Sequence, residues 1–151
     1  MSLVIRRFTE SDRNTFFSMV KKFYAPPAVL HFPSDETMMS AFDASLNIPE
    51  LVHGFIFESN GETAGYSIVS MKFETEVGGM AAWIEELFVE EEFRNKGIGT
   101  EFIEYLKNEF KGKIKRIRLE VGDENTGAKN LYSRLGFEFL DYKQMVIDGE
   151  I

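Results

Sequence analysis

The chain has 151 residues, a formal net charge of −8, no cysteine, and only two histidines, His31 and His53. That length suits one domain able to bury its own core. The missing thiols and the separated imidazoles count against disulfide scaffolds, metal enzymes and Ser–His nucleophile schemes. The acidic balance counts against nucleic-acid binding. With no long apolar run and no basic-then-apolar leader, neither a membrane span nor a secretory signal is expected, and the expected location is the cytoplasm.

Residues 3–7 read as a first strand. Thr9 ahead of Glu10 and Asp12 opens a helix in the manner of a capping box, and Phe16, Met19, Val20 and Phe23 follow at helical spacing. Pro26-Pro27 ends that helix. Ser34 caps a second helix, Asp35 and Glu36 suit its first turn, and Met38, Met39, Phe42 and Leu46 line its inner face. Residues 52–58 and 63–73 form a hairpin about Asn60-Gly61. Gly78-Gly79 turns the chain into a strand over 81–89. A helix over about 98–111 carries Ile98, Phe102, Leu106 and Phe110 every four residues, and Gly112 stops it. Residues 114–121 alternate as a strand. Ala128, Leu131, Tyr132 and Leu135 mark a short helix ended by Gly136, and 137–147 reads as the last strand. The order predicts a mixed α/β (α+β) fold with residues 1–151 as a single domain.

The segment Arg94-Asn95-Lys96-Gly97-Ile98-Gly99-Thr100 lies between a strand and a helix. Glycines there let the backbone approach a ligand, and the helix N-terminus offers N–H groups and a positive dipole end. These are the properties of a phosphate site, with Arg94 and Lys96 adding charge at its mouth. A Walker loop would need Gly-Lys-Ser/Thr, which is absent, and a dinucleotide fingerprint would need a third glycine where Phe102 stands. A glycine-rich turn that binds nothing is the plain alternative.

Arg-x-x-Gly-x-Gly behind Ile84-Glu85-Glu86-Leu87-Phe88-Val89 resembles motif A of the GNAT family of N-acetyltransferases. Downstream, Asn125, Ala128, Leu131-Tyr132 and Leu135-Gly136-Phe137 resemble that family's Asn-x-x-Ala-x-x-Leu-Tyr-x-x-x-Gly-Phe segment. The resemblance implies a central, mixed, twisted sheet of six to seven strands flanked by about four helices. It implies acetyl-CoA as co-substrate. Leu87, Phe88 and Val89 would meet the pantetheine arm and acetyl carbonyl, while Arg94, Asn95, Lys96, Gly97, Ile98, Gly99 and Thr100 would hold the pyrophosphate. Asn125 would bond the pantetheine or cap the following helix, and Tyr132 would stand near the cofactor sulfur.

Acetyl transfer to an amine needs a base, a donor to the carbonyl oxygen, and an acid for the departing thiolate. Tyr132 is the acid candidate. Simple alternation puts Glu85 and Glu86 on opposite faces, and Glu85, sharing a face with Leu87 and Val89, is the base candidate, acting directly or through water. It also matches the glutamate of the Leu-Glu-Asp-Phe-Phe-Val strand of related diamine and polyamine acetyltransferases. Either glutamate could instead be a solvated residue that only holds basic substrate. Trp83 lines the acceptor pocket or simply packs. His31 and His53 read as incidental, Met38-Met39 as packing, and Glu90-Glu91-Glu92 as a solvated loop.

Phe23-Tyr24, Phe32, Asp35, Glu36 and Asp43 suit a small cationic amine as acceptor. The alternative is a noncatalytic acyl-CoA-binding or regulatory module on the same fold. A nucleotide-binding module is a weaker rival. No metal, nucleic acid or membrane partner is expected, and an edge strand at 137–147 would permit a homodimer.

Overall fold

The computed structural model describes residues 2–25 and 32–150, so Pro26-Pro27 and His31 lie outside the described residues. Its backbone divides into two compact units, residues 1–120 and 121–151.

The first unit is a five-stranded sheet in the order β1-β2-β3-β4-β5. Strands β1 (Leu3–Arg7), β2 (Val52–Ser59), β3 (Glu62–Glu74) and β4 (Gly79–Val89) pair antiparallel, and β5 (Arg116–Leu119) runs parallel to β4. Asn60 and Gly61 both take positive φ, 52° and 84°, the backbone that a two-residue hairpin needs to match strand twist. Helices α1 (Arg13–Phe23) and α2 (Asp35–Asn47) cover one face. There Phe8, Phe16, Met19, Val20, Met38 and Phe42 pack on Ile56, Tyr66, Ile68 and Phe88. The Ser34 hydroxyl caps α2 by accepting the Thr37 N–H at 3.1 Å.

Helix α3 (Ile98–Glu109) packs on the other face. Its four-residue repeat brings Phe102 against Phe55 and Phe57, with ring centroids 5.6 and 4.9 Å apart. At its C-terminal end Glu109 pairs with Arg7 at 3.2 Å. The Arg7 guanidinium lies 4.5 Å from the Phe55 ring centre and donates to Nδ1 of His53. Burial and that neighbouring cation hold His53 neutral, pushing its pKa down to about 4. His53 is thus an acceptor inside a structural lock.

The second unit contains α4 (Thr126–Arg134), capped by Asn125, whose Oδ1 accepts the Ala128 N–H at 3.1 Å. Gly136, at φ 93°, ends it, and the Phe137 N–H bonds back to the Tyr132 carbonyl at 3.0 Å.

The mixed α+β architecture matches expectation, but the described residues form five strands, not six to seven. Residues 137–147 are not a strand, and Phe139, Tyr142, Met145, Val146 and Ile147 are exposed. A strand exists only through paired N–H and C=O groups. Apolar residues of this segment fall on both parities (Phe137, Phe139, Met145 and Ile147 against Leu140, Tyr142 and Val146), so no single face rewards pairing.

Candidate active site

Strand β4 carries an irregularity at the expected base. Val69 pairs with Ile84 and Ile68 with Glu86, so Glu85 is the extra residue of a β-bulge. Ser70 and Ile68 lie on one face of β3, opposite Trp83 and Glu86 respectively. Glu85 hydrogen-bonds to Ser70, which places it on that face too. This corrects the alternation argument: both carboxylates share the face of Tyr66 and Ile68, whereas Leu87 and Val89 pair with Ser67 and Gly65 on the other.

The two carboxylates differ in their surroundings. Glu85 is exposed, and partial desolvation together with the charge of Glu120 holds its pKa above the ordinary carboxylate value, with the Ser70 bond opposing. Glu86 is only 5% exposed. Its Oε1 accepts the Tyr66 hydroxyl at 3.2 Å, and the Tyr24 phenol is a second partner. Burial pushes Glu86 up to about 7, the phenol bonds pull the other way, and the charge of Glu85 adds to the rise.

Past the bulge, β4 runs on without β5. The parallel ladder covers Ala81–Ile84 against Arg116–Leu119, while β4 continues to Val89. On its other side β4 is held very close to β3: a Cβ on Gly65 would lie 2.1 Å from the Phe88 carbonyl oxygen. Only glycine fits there.

The loop beyond β4 begins with a 3-10 turn, Glu91–Phe93. Asn95 and Gly97 then take positive φ, 60° and 85°, and α3 starts at Ile98. A turn built on left-handed residues ahead of a helix can aim backbone N–H groups at one concavity, a shape that binds anions. The first bond of the helix runs from the Glu101 N–H to the Gly97 carbonyl, so the amides of Ile98, Gly99 and Thr100 precede its ladder. Arg94, Asn95, Lys96 and Gly97 are exposed, and Ile98 is buried as the helix anchor. Arg94 Nε donates to the Val89 carbonyl at 2.9 Å, tying the loop to the end of β4. These groups fit a pyrophosphate, and the stretch of β4 beyond its parallel partner fits an extended polar arm.

Trp83 serves the fold. Its indole N–H donates to Glu74 at 2.9 Å, and Arg118 and Lys72 lie 4.2 and 5.2 Å from its ring centre. In the second unit, Tyr132 packs edge-on against Phe137 with centroids 5.4 Å apart, and burial raises its phenol pKa. Asn125 is a helix cap, one of the two roles expected of it. The sequence reading missed Tyr24 and Tyr66 as partners of Glu86. The only available signal was the acidic pair itself, since a single tyrosine on β3 and one at the end of α1 carry no local mark of the partnership.

The profile of the acetyltransferase (GNAT) family matches residues 15–137. The chain belongs to that family. It is similar to an uncharacterized N-acetyltransferase of Methanocaldococcus jannaschii, 38% identical over 86 residues, a match covering 56% of this chain and 38% of that protein. It is also similar to the spermine/spermidine N(1)-acetyltransferase of Bacillus subtilis, 26% identical over 83 residues, covering 52% of this chain and 55% of that one. The match thus spans little more than half, or less, of these curated relatives. Among solved structures, a "possible acetyltransferase" from Clostridium difficile 630 shares the GNAT fold with TM-score 0.83 at 20% identity, each chain covered 100%. AAC(6')-Iy, solved with the bisubstrate analogue CoA-S-monomethyl-acetylneamine, gives TM-score 0.79 at 18% identity, with 99% of each chain covered. Among the described residues no helix is long and apolar enough to cross a membrane.

Proposed function

We propose that this GNAT member moves an acetyl group from acetyl-CoA to the primary amine of a small cationic acceptor, with residues 1–151 acting as one acetyltransferase domain. The observation that carries the reading is the exposed loop 94–97, with its left-handed Asn95 and Gly97, running from the end of β4 into the N-terminus of α3. Acetyl-CoA supplies the activated acyl group. Backbone groups from Arg94 to Thr100 hold its pyrophosphate, Leu87, Phe88 and Val89 meet its extended arm, and the side-chain NH2 of Asn125 is left to donate to it while Oδ1 caps α4.

Glu85, exposed and raised above the ordinary carboxylate range, takes the amine proton directly or through one water. Tyr132 donates a proton to the departing sulfur. The net charge of −8 and the acidic face of β4 support a cationic acceptor. A cytoplasmic location and a homodimer made through the exposed apolar residues of 137–147 belong to the same proposal.

Calorimetric titration with acetyl-CoA of the wild type and of Gly97→Glu tests the reading. Binding that disappears in the variant supports it. Binding without thiol release over a panel of amines would leave the noncatalytic acyl-CoA module instead. No binding to folded wild type would remove both.

A further inference from the structure

The acidic run Glu90-Glu91-Glu92 is not one solvated stretch. Glu91 and Glu92 are exposed, whereas the Glu90 side chain is only 15% exposed. Glu90 directly precedes the 3-10 turn Glu91–Phe93, and its carboxylate makes no bond to that turn. It points instead to α1, where Lys22 Nζ donates to both of its oxygens at 2.8 and 2.9 Å.

Both ends of this pair are anchored. Lys22 lies in the last turn of α1, a helix that buries Phe16, Met19 and Val20. Arg13 at the start of α1 pairs with Asp43 of α2 at 2.8 Å, so the helix is held along its length. At the other end, the Glu90 N–H donates to the Ala64 carbonyl at 2.8 Å. The Glu90 carbonyl accepts the Phe93 N–H at 2.9 Å, the bond that closes the turn. Arg94 follows with its Nε on the Val89 carbonyl, and then come Asn95 and Gly97 at positive φ. Glu90 is thus where the segment leading to the amides of Ile98, Gly99 and Thr100 is fastened to the helical layer.

A fully exposed ion pair contributes little. Here the carboxylate is mostly covered, so loss of its cation leaves a poorly hydrated charge that the side chain must carry outward to water. The turn opened by Glu90 then loses its tie to α1.

We propose that Lys22 is a positioning residue for the cofactor loop: through Glu90 it fixes the turn 91–93, and with it the backbone groups of 94–100 that receive the pyrophosphate. The assignment rests on the acetyl-CoA reading of that loop. It separates two roles that a lysine near phosphates can play. A plain positive charge attracts the cofactor whether or not Glu90 is present. A positioning lysine needs Glu90, and the carboxylate, although it repels phosphate, then favours cofactor binding.

The test compares folded wild type with Lys22→Met, Lys22→Arg, Glu90→Gln and the double exchange of Lys22→Glu with Glu90→Lys. Melting curves check folding, and acetyl-CoA is titrated calorimetrically at low ionic strength. Lys22→Met and Glu90→Gln are each expected to weaken acetyl-CoA binding about three- to tenfold. Lys22→Arg should keep most of the affinity, and the double exchange should recover part of it. Hydrogen exchange on the free chain should be faster at the amides of 91–97 in Lys22→Met and in Glu90→Gln. With S-acetylpantetheine, which lacks the pyrophosphate, kcat/KM should be the same in both variants as in wild type.

Unchanged acetyl-CoA affinity in folded Lys22→Met would overturn the proposal. So would wild-type or tighter binding by Glu90→Gln, which would leave Lys22 as a plain charge, or equal losses with S-acetylpantetheine. In each of these outcomes wild type still binds acetyl-CoA, and the acetyltransferase reading stands. Folded wild type that binds no acetyl-CoA would end that reading and the role of Lys22 with it.

Discussion

The Tyr66 hydroxyl donates to Glu86 at 3.2 Å inside the core that α1 and α2 make against the sheet. This bond favours the ionised form of Glu86, yet burial outweighs it and the carboxyl titrates at about 7. A carboxyl whose pKa is higher in the folded chain than in the unfolded one stabilises most below the unfolded value. That stability is lost as pH rises through the folded value. Between pH 4 and pH 8 the wild type is expected to lose roughly 3 kcal/mol from this group. Urea unfolding of Glu86→Gln across that range should show the loss removed. Tyr66→Phe should move the loss to higher pH.

Asp12 behaves in the opposite sense. Its bonds to Arg6 and to the Thr9 N–H, the latter at 2.8 Å, hold its pKa below the ordinary value against the effect of burial. Stability from this pair is present above the unfolded pKa and lost as pH falls through the folded one. Asp12→Asn is expected to cost about 1–3 kcal/mol at pH 7 and less at pH 2, as measured by denaturant midpoints.

Gly65→Ala puts a methyl group 2.1 Å from the Phe88 carbonyl oxygen. Neither strand can yield without breaking its ladder, so a loss of about 2–4 kcal/mol is expected. A thermal melt measures it. Because β4 carries Leu87, Phe88 and Val89, the affinity for acetyl-CoA should fall as well.

Glu85→Gln should lower kcat/KM by about 10²- to 10⁴-fold with little change in acetyl-CoA affinity. The acid limb of the wild-type pH–rate profile should lie above the ordinary carboxylate range, in the direction that desolvation and Glu120 impose. Tyr132→Phe should lower kcat by a similar order while amine KM changes little. Steady-state thiol release on both variants decides this.

Much of the fold was legible because local chemistry dictated it. Asn60-Gly61 demanded a tight hairpin, and the spacing of Ile98, Phe102, Leu106 and Phe110 demanded a helix with one buried face. The turn into α3 was legible for the same reason, since Gly97 at positive φ is a local requirement. The bulge at Glu85 was not. Ile84-Glu85-Glu86-Leu87 reads as an ordinary alternating strand, and the extra residue is visible only through pairing with β3, more than a dozen positions away in sequence. The partnership of Glu86 with Tyr66 and Tyr24 is equally non-local. Residues 137–147 were over-read because β-forming side chains were present without a consistent face.

The bulge also imposes a rule on changes of length. Glu85 has no opposite number on β3, so without it Trp83 and Ile84 would still face Ser70 and Val69, and Glu86, Leu87 and Phe88 would still face Ile68, Ser67 and Tyr66. Losing that one residue would straighten β4 and leave each later side chain on its own face. Among natural variants of this chain, a shortening by one residue should therefore be tolerated at Glu85, with one carboxylate lost from the face of Tyr66 and Ile68.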